Sequence, residues 1–257
     1  MPFALITGAS KGIGKAIAET LAARGYDLLL VARSEDLLQQ VAAEIQSVSK
    51  RNCLWFSVDL AGEQSAEKVF DWCTQNQFEV SILVNNAGYG LSGPFEKYST
   101  EEHADMLRVN IVTLTKLSRL FLPQLLKRPA GYILNIGSTA AYQAVPFLSA
   151  YSASKAYVLS FSRGLCQELK KTNVSVTCIC PGPTDTNFVN RANVGSKGQR
   201  AAEKFNMSPQ TVAHIAVESL FRRKPEVITG GANKLSAFFA WLMPKPLVEN
   251  IAKKLYD

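Results

Sequence analysis

Near its beginning the chain reads Phe3-Ala4-Leu5-Ile6-Thr7-Gly8-Ala9-Ser10-Lys11-Gly12-Ile13-Gly14. The short apolar run at 3–6 predicts a buried β-strand, and apolar residues at helical spacing between positions 15 and 24 predict a helix. The three glycines therefore lie in a tight turn between a strand and a helix. Glycines let the backbone approach a phosphate group closely, and a helix N-terminus presents free N–H groups to it. The segment predicts a dinucleotide-binding turn, with cofactor contacts at Gly8, Ser10, Lys11, Gly12, Ile13 and Gly14.

The glycine spacing of this turn is Gly-x-x-x-Gly-x-Gly. It differs from the Gly-x-Gly-x-x-Gly fingerprint of many dinucleotide sites. An ordinary tight turn between a strand and a helix is the alternative, and the choice depends on the rest of the chain.

Strand-like and helix-like segments alternate beyond the turn. Short apolar runs predict strands at 26–32, 53–58, 80–84, 131–136, 174–180 and 227–229. Helical patterns cover 37–48, 63–74, 100–126, 151–171 and 209–223, the last with Ser208 as its N-cap. Such alternation predicts right-handed βαβ units, and hence an α/β fold with a doubly wound parallel sheet.

Glycine or polar side chains follow four of the predicted strands. They are Gly8, Arg33, Asp59 and Asn86. The carboxyl ends of parallel strands meet at one edge of a sheet, and ligands bind beyond that edge. We therefore expect these residues to line one site, although each alone could be an ordinary turn residue.

The residue after the second predicted strand bears on the choice of cofactor. Arg33 follows that strand directly, 19 positions after Gly14, and Lys11 adds a second cation in the glycine-rich turn. An acidic residue at this spacing would favour NAD, whereas an arginine accommodates the 2′-phosphate of NADP. The sequence therefore favours NADP(H), with a surface helix that merely begins at Arg33 as the alternative.

Composition limits the function classes. The chain has 257 residues, 47% of them hydrophobic, and a formal net charge of +7. No basic run carries interleaved aromatics, so nucleic-acid binding is not expected. No apolar run reaches the length of about 20 residues that crosses a bilayer, and the N-terminus lacks a basic signal-peptide region, so we expect a cytoplasmic protein. The five cysteines include no CxxC pair, which argues against a disulfide framework and against a metal site.

Tyr151 and Lys155 lie four residues apart in a predicted helix and so share one face. A fixed ammonium favours the phenolate form and lowers the pKa of a nearby tyrosine, which makes the phenol a usable general acid or base. The same spacing occurs on many solvated helix faces. Two further residues are candidates for the site: Asn110, within a helical pattern where asparagine is unfavourable without a hydrogen-bonding role, and Ser138, just after a strand.

The ordered set of motifs resembles the short-chain dehydrogenase/reductase family, in its single-domain branch. The motifs are Thr7-Gly8-x-x-x-Gly12-x-Gly14, Asn85-Asn86-Ala87-Gly88, Asn110, Ser138, Tyr151-x-x-x-Lys155 and Pro181-Gly182. The resemblance covers about residues 3 to 230. It implies one NAD(P)-binding Rossmann-type domain over 1–257, with a seven-stranded sheet flanked by helices on both faces, and a catalytic tetrad of Asn110, Ser138, Tyr151 and Lys155.

The resemblance also implies individual roles. Tyr151 would exchange the proton, Lys155 would hold the nicotinamide ribose and lower the Tyr151 pKa, Ser138 would bind the substrate oxygen and Asn110 would support a water. Further cofactor contacts would come from Asp59, Leu60, Asn86, Ala87, Gly88, Pro181, Gly182, Thr184 and Thr186. Residues 187–206 would form the substrate loop. From their aromatic side chains, Tyr142 and Phe188 are candidates for an apolar wall that contacts the substrate together with Ser138 and Tyr151, and packing in the core or at a subunit interface is the alternative.

Residues 235–257 form an apolar and then amphipathic tail that the family motifs do not cover. Packing on the domain or on a second subunit is the favoured interpretation. A hydrophobic lid over the substrate and a contact with a membrane surface are the alternatives.

These inferences predict an NADP(H)-dependent oxidoreductase that interconverts a carbonyl and an alcohol. The aromatic residues and the apolar tail favour a lipid-like or acyl substrate, and the resemblance implies a homodimer or homotetramer. A non-catalytic NADP(H)-binding sensor or scaffold is the main alternative. A lyase, dehalogenase or epimerase is a third, although such variants generally alter the glycine spacing or the tetrad, and this chain alters neither.

Overall fold

The computed structural model describes residues 2–184 and 206–256. Seven parallel strands form one sheet in the order β3-β2-β1-β4-β5-β6-β7. The strands are β1 (Phe3–Thr7), β2 (Asp27–Ala32), β3 (Cys53–Ser57), β4 (Val80–Asn85), β5 (Gly131–Ile136), β6 (Val174–Cys180) and β7 (Glu226–Ile228). The reversal of strand order beside β1 is the topological switch point of a doubly wound sheet, so the predicted Rossmann-type sheet is confirmed.

Nine described α-helices accompany the sheet. They are α1 (Gly12–Ala23), α2 (Glu35–Ser49), α3 (Ser65–Gln75), α4 (Thr100–Leu107), α5 (Leu114–Leu126), α6 (Ser149–Glu168), α7 (Pro209–Phe221), α8 (Gly231–Leu242) and α9 (Lys245–Tyr256). Ser208 caps α7 by accepting a hydrogen bond from the Thr211 N–H, as the sequence predicts. None of the helices within 2–184 and 206–256 is long and apolar enough to cross a membrane.

Two apolar cores lie on opposite faces of the sheet, because successive strand residues point to opposite sides. In β1, Ile6 joins a core with residues of α1, α2 and α7. Its neighbour Leu5 joins a second core with residues of α3 and α5. Both faces of the sheet are covered, which accounts for the nearly continuous apolar strands in the sequence.

The helical stretch predicted over 100–126 is not one regular helix. A π-helical segment, Arg108–Thr113, separates α4 from α5. The π-turn widens the helix where Asn110 is buried. The predicted helical stretch is confirmed over 100–126, but apolar spacing does not report a local change from i→i+4 to i→i+5 hydrogen bonding.

The turn after β1 requires glycine for two different reasons. Gly8 has a positive φ of 65°, a conformation that glycine adopts without steric cost. Gly14 packs so closely on the Gly8 carbonyl and the Asn86 side chain that a Cβ atom would overlap both. The first turn of α1 is therefore held tightly against the ends of β1 and β4.

Candidate active site

A cavity of about 670 Å³ opens at the carboxyl edge of the sheet. The residues after β1, β2, β3, β4, β5 and β6 line it, as the positions of the polar residues in the sequence predict. Eighteen residues of the predicted site line this cavity: Gly8, Ser10, Lys11, Gly12, Ile13, Arg33, Asp59, Leu60, Asn86, Ala87, Gly88, Ser138, Tyr142, Tyr151, Lys155, Pro181, Gly182 and Thr184.

Four predicted site residues are not part of this lining. Gly14 lies behind the turn, and Asn110 lies behind the cavity wall, where it is buried. Thr186 and Phe188 lie outside the described residues. The predicted substrate loop at 187–206 also lies outside them, except for Asn206.

Tyr151 and Lys155 are placed by α6 on the side of the helix that faces the cavity. Both side chains are buried, and the Lys155 Nζ lies 5.8 Å from the centroid of the Tyr151 ring. The same Nζ donates a hydrogen bond of 2.8 Å to the Ile136 carbonyl at the end of β5. The ammonium is thereby fixed near the phenol, which the spacing in the sequence alone could not establish.

Burial lowers the pKa of the Lys155 ammonium from 10.5 to about 8. The nearby Cys178 and Cys180 act in the opposite direction and offset part of this shift. A lysine with this pKa is still largely protonated at neutral pH, but its charge is held at a cost in folding free energy.

We expect Lys155→Met to raise the free energy of unfolding at pH 7 by about 2 kcal/mol, as an order of magnitude. The lowered pKa of Lys155 corresponds to a destabilisation of the folded wild type by about 3 kcal/mol, which the variant relieves. The variant also loses the hydrogen bond to the Ile136 carbonyl, which reduces the gain by about 1 kcal/mol. The pKa is lower in the folded state, so the penalty is full below about pH 8 and disappears as pH rises towards 10.5. Urea unfolding of wild type and variant across this range measures the difference. Lys68→Met on α3 is the exposed control, and a gain that does not change with pH would contradict the explanation.

Ser138 begins the short 3₁₀ helix Thr139–Tyr142, and its Oγ accepts a hydrogen bond of 3.1 Å from the Ala140 N–H. This bond uses an acceptor position of the hydroxyl, and a hydroxyl also carries one donor. Ser138 and Tyr151 line the same cavity.

The predicted substrate residue Tyr142 uses its hydroxyl within the protein. It donates a hydrogen bond of 2.5 Å to Glu226, which also accepts from Arg163. Burial, together with Cys180 and Glu226, raises the Tyr142 pKa, so the phenol remains protonated. Tyr142 therefore borders the cavity with its side chain while its hydroxyl ties the 3₁₀ helix to β7.

Both donor hydrogens and the oxygen of the Asn110 side-chain amide take part in hydrogen bonds within the protein. Its Nδ2 donates to the Tyr89 carbonyl and to the Ser154 Oγ, and its Oδ1 accepts from the Tyr89 N–H. These bonds tie the π-helical segment to the loop after β4 and to α6. The amide has used both of its donor hydrogens, so a water of the kind that the resemblance implies could not accept a hydrogen bond from this side chain.

The other end of the cavity suits a phosphorylated ligand. The first turn of α1 has no side-chain cap, and Gly12 and Ile13 of that turn line the cavity beside Ser10 and Lys11. Uncapped N–H groups at a helix N-terminus bind anions. The cavity thus joins an anion site at one end to the hydroxyl pair at the other, which fits an extended dinucleotide.

Arg33 lies at the rim of the cavity, with 57% of its side chain exposed. Its guanidinium is 3.7 Å from the Asp59 carboxylate, and Asp59 also accepts a hydrogen bond from the Ala61 N–H. This contact is too long for a strong hydrogen bond. The guanidinium can therefore turn towards a ligand without losing a buried interaction.

One wall of the cavity was not assigned from the sequence, which gave a lid over the substrate only as an alternative for residues 235–257. This wall is formed by small side chains of the two C-terminal helices: Ala232, Asn233, Ser236, Ala237, Ala240 and Ala252. Alanines at 237 and 240 within an apolar segment were the available signal, but helical spacing does not say what an inner face covers. Asn233 also packs against Gly182, where a Cβ atom would overlap its side chain.

Comparison with known proteins gives the same family as the motifs. A family model described as short chain dehydrogenase matches residues 2–197. The chain belongs to the short-chain dehydrogenase family. The resemblance inferred from the sequence is confirmed, and the protein is an oxidoreductase.

Curated relatives of this short-chain dehydrogenase include two instructive proteins. An uncharacterized oxidoreductase of Staphylococcus saprophyticus is 34% identical over 217 residues, which cover 84% of this chain and 90% of the relative. A very-long-chain 3-oxoacyl-CoA reductase of Anas platyrhynchos is 38% identical over 185 residues, or 70% of this chain and 58% of the relative.

Solved structures extend the comparison to the whole described fold. A 7beta-hydroxysteroid dehydrogenase superposes with a TM-score of 0.88 at 25% identity, covering 98% of this chain and 96% of its own. A short-chain dehydrogenase from Sphingobium yanoikuyae, in complex with NADPH, has a TM-score of 0.83 at 30% identity and covers 94% of both chains. An enzyme from Burkholderia phymatum in complex with NAD, 23% identical with a TM-score of 0.82 over 93% of this chain and 92% of its own, shares the fold.

Proposed function

We propose that this short-chain dehydrogenase is an NADP(H)-dependent oxidoreductase that interconverts a carbonyl and an alcohol on an apolar, lipid-like or acyl substrate. One observation carries the proposal. A single cavity joins the uncapped N-terminus of α1 and the Arg33 guanidinium to Ser138, Tyr151 and Lys155. A dinucleotide bound at the N-terminus of α1 and at Arg33 would extend through this cavity to Ser138, Tyr151 and Lys155.

The family resemblance and their presence in the cavity lining support the residues that would hold the cofactor. The turn at 8–14 would bind the pyrophosphate, residues 59–60 and 86–88 would lie along the adenosine, and Pro181, Gly182 and Thr184 would lie along the nicotinamide. When bound, the cofactor supplies or accepts the hydride.

The protein supplies the proton and stabilises the developing charge. In the reductive direction the Tyr151 hydroxyl donates a proton to the carbonyl oxygen, and the Ser138 hydroxyl donates a hydrogen bond to the same oxygen. The Lys155 ammonium stabilises the resulting phenolate. In the oxidative direction the same groups act in reverse. Asn110 acts indirectly, because it holds α6 against the loop after β4.

The charges at the adenosine end support NADP(H) over NAD(H). Arg33 and Lys11 both line that end, and the only described acidic side chain in the cavity lining there, Asp59, lies beside Arg33. An arginine binds a phosphate with charge-assisted hydrogen bonds that a ribose hydroxyl cannot match. The complex of the Sphingobium yanoikuyae enzyme with NADPH is consistent with this assignment.

The walls beyond Tyr151 support an apolar substrate. Val145, Leu148, Ala237, Ala240 and Ala252 line that part of the cavity. A hydrophobic wall with few polar groups suits an acyl chain or a ring system more than a sugar. The names of the avian 3-oxoacyl-CoA reductase and of the hydroxysteroid dehydrogenase agree with this substrate class.

We further propose a single domain over 1–257, a cytoplasmic location, and a homodimer or homotetramer formed through α6. Small or flat residues occupy the exposed side of that helix: Ala153, Ala156, Tyr157, Ser160 and Gly164. Small residues allow two helices to approach closely, and Tyr157 already hydrogen-bonds Thr115 of α5. A non-catalytic NADP(H) sensor would not need the Ser138 and Tyr151 hydroxyls in the cavity. Because both residues are present there, we prefer the enzyme over the sensor.

The test is a set of 3-oxoacyl thioesters of increasing chain length, assayed with NADPH by loss of absorbance, beside polar sugars of similar reactivity. We expect kcat/KM to rise with chain length, by about fourfold per buried CH₂ group until the apolar wall is filled. NADPH binding without turnover of any carbonyl would favour the sensor. Turnover of sugars alone would support the interconversion of a carbonyl and an alcohol but would contradict a lipid-like or acyl substrate.

A further inference from the structure

The two C-terminal helices present large apolar side chains to the outside of the protein. Half of the exposed large hydrophobic residues described for the chain lie between positions 235 and 251. The segment is short, so this density is unlike that of the remaining surface. We call these side chains the apolar ridge: Leu235, Phe238, Phe239, Trp241, Leu242, Leu247 and Ile251.

Helical spacing places the ridge on one side of each helix. In α8 the ridge residues Leu235, Phe238, Phe239 and Leu242 follow the i, i+3, i+4, i+7 pattern of a single face. The opposite side of α8 carries Ala237 and Ala240, which are buried and line the cavity. In α8, small residues therefore face the protein and large apolar residues face outward, which is the reverse of the usual arrangement of a surface helix.

The second helix repeats this arrangement. In α9, Leu247 and Ile251 are exposed one turn apart, whereas Val248 and Ala252 are buried. Trp241 and Leu242 end α8, and Leu247 lies in the first turn of α9, so the two faces meet at the junction of the helices. Both helices therefore contribute to one outward apolar surface.

Lysines lie in line with the ridge. Lys234 is four residues before Phe238 and seven before Trp241, so it lies on the same face of α8 as these residues. Lys254 is three residues after Ile251 and seven after Leu247, so it lies on the same face of α9 as these two. Lys245 and Lys253 are also exposed, while Glu249, the one acidic residue between 231 and 256, is partly buried. The surface is apolar with a border of positive charge.

We propose that the apolar ridge docks on an anionic lipid membrane surface. Aromatic and leucine side chains that enter the acyl boundary, with lysines whose charged ends reach the headgroups, are the pattern of interfacial helices. A second copy of the chain is a poorer occupant, because a twofold contact through this surface brings the same lysines together. Docking places the cavity one helix layer from the bilayer, where lipid-like molecules are concentrated.

The direct test is flotation of the full-length protein with vesicles of phosphatidylcholine alone and of phosphatidylcholine mixed with phosphatidylglycerol. We expect binding to the mixed vesicles, weaker binding to the neutral ones, and a decrease with added salt. The double variant Phe238→Ser/Trp241→Ser should bind at least about tenfold more weakly. Phe95→Ser is the matched control, since Phe95 is 68% exposed and Trp241 is 71% exposed.

The charge contribution has its own comparison. Lys234→Gln/Lys254→Gln should lower binding to the mixed vesicles by about 25-fold, at about fivefold for each lysine. Lys68→Gln/Lys127→Gln removes the same charge from α3 and from the end of α5 and should change binding much less. Thermal unfolding of each variant confirms that it is folded before binding is measured.

Two results would overturn the proposal. One is the absence of flotation with either vesicle by folded wild-type protein. The other is a concentration-dependent dimer, measured by light scattering, that Phe238→Ser/Trp241→Ser dissociates and that excludes vesicle binding. The second result would assign the ridge to a second copy of the chain. Because neither readout uses turnover, failure of the proposed reaction would not be confused with failure of docking.

Discussion

Tyr151→Phe is expected to lower kcat/KM by about 10²- to 10⁴-fold, the usual contribution of a general acid or base. The substitution removes one oxygen from a buried ring and leaves the packing around Lys155 in place. The Tyr151 hydroxyl is the group that would transfer the proton, while the cofactor contacts at the opposite end of the cavity are untouched. Steady-state kinetics with NADPH and a reactive ketone measures the first effect, and fluorescence titration with NADPH shows whether binding persists.

Tyr157→Phe supplies the control for this experiment. Tyr157 lies on the same helix, is partly exposed and bonds Thr115 instead of facing the cavity. It should retain nearly full activity, which separates loss of the proton donor from a general effect of removing a phenol from α6. Substantial turnover by Tyr151→Phe would remove Tyr151 from the role of proton donor and would require another acid in the cavity.

Arg33→Asp is expected to reverse the cofactor preference. The wild type should bind NADPH more tightly than NADH. The variant loses charge-assisted hydrogen bonds to the 2′-phosphate and gains a repulsive carboxylate, so its NADPH affinity should fall by about tenfold to a hundredfold. NADH affinity should fall little or improve, because a carboxylate can accept hydrogen bonds from the ribose hydroxyls. Protein fluorescence titrations with both cofactors provide the four dissociation constants.

Arg222→Asp makes the same change on another exposed arginine, with 68% of its side chain exposed against 57% for Arg33. This control lies after α7 and should leave both affinities unchanged. Equal binding of NADPH and NADH by the wild type would mean that Arg33 does not bind the 2′-phosphate and is only a surface residue just before α2. Oxidation would then become the more plausible working direction, since the preference for NADPH is what favours reduction.

The elements that were predicted well from sequence are those whose pattern is local. The strands β5 and β6 have the predicted bounds because each is an apolar run that ends at a glycine or a proline. The capped start of α7 was predicted for the same reason, since Ser208 and Pro209 determine it within one turn. The residues at the strand ends also lie in one cavity, which follows from parallel topology once the alternation of strands and helices is recognised.

The features that escaped prediction depend on contacts between distant parts of the chain. The π-helical segment around Asn110 is stabilised by bonds to Tyr89 and Ser154, which no local pattern shows. The sequence predicts Arg33 and Asp59 at one edge of the sheet, but it does not predict the 3.7 Å contact between their charged groups, which depends on the pairing of β2 with β3. The inner faces of α8 and α9 carry small residues for the cavity, and spacing alone does not distinguish such a face from one that packs on a second subunit.

The strand order separates two kinds of evolutionary change. Arg33 and Asp59 follow β2 and β3 at one edge of the sheet, whereas α8 and α9 follow β7 at the opposite edge. Tyr151, Ser138 and Lys155 lie between them. Substitutions near the proposed nucleotide site are therefore free to accumulate without disturbing the wall that we propose to contact the other reactant. One catalytic centre can in this way be inherited unchanged while its two specificities diverge independently.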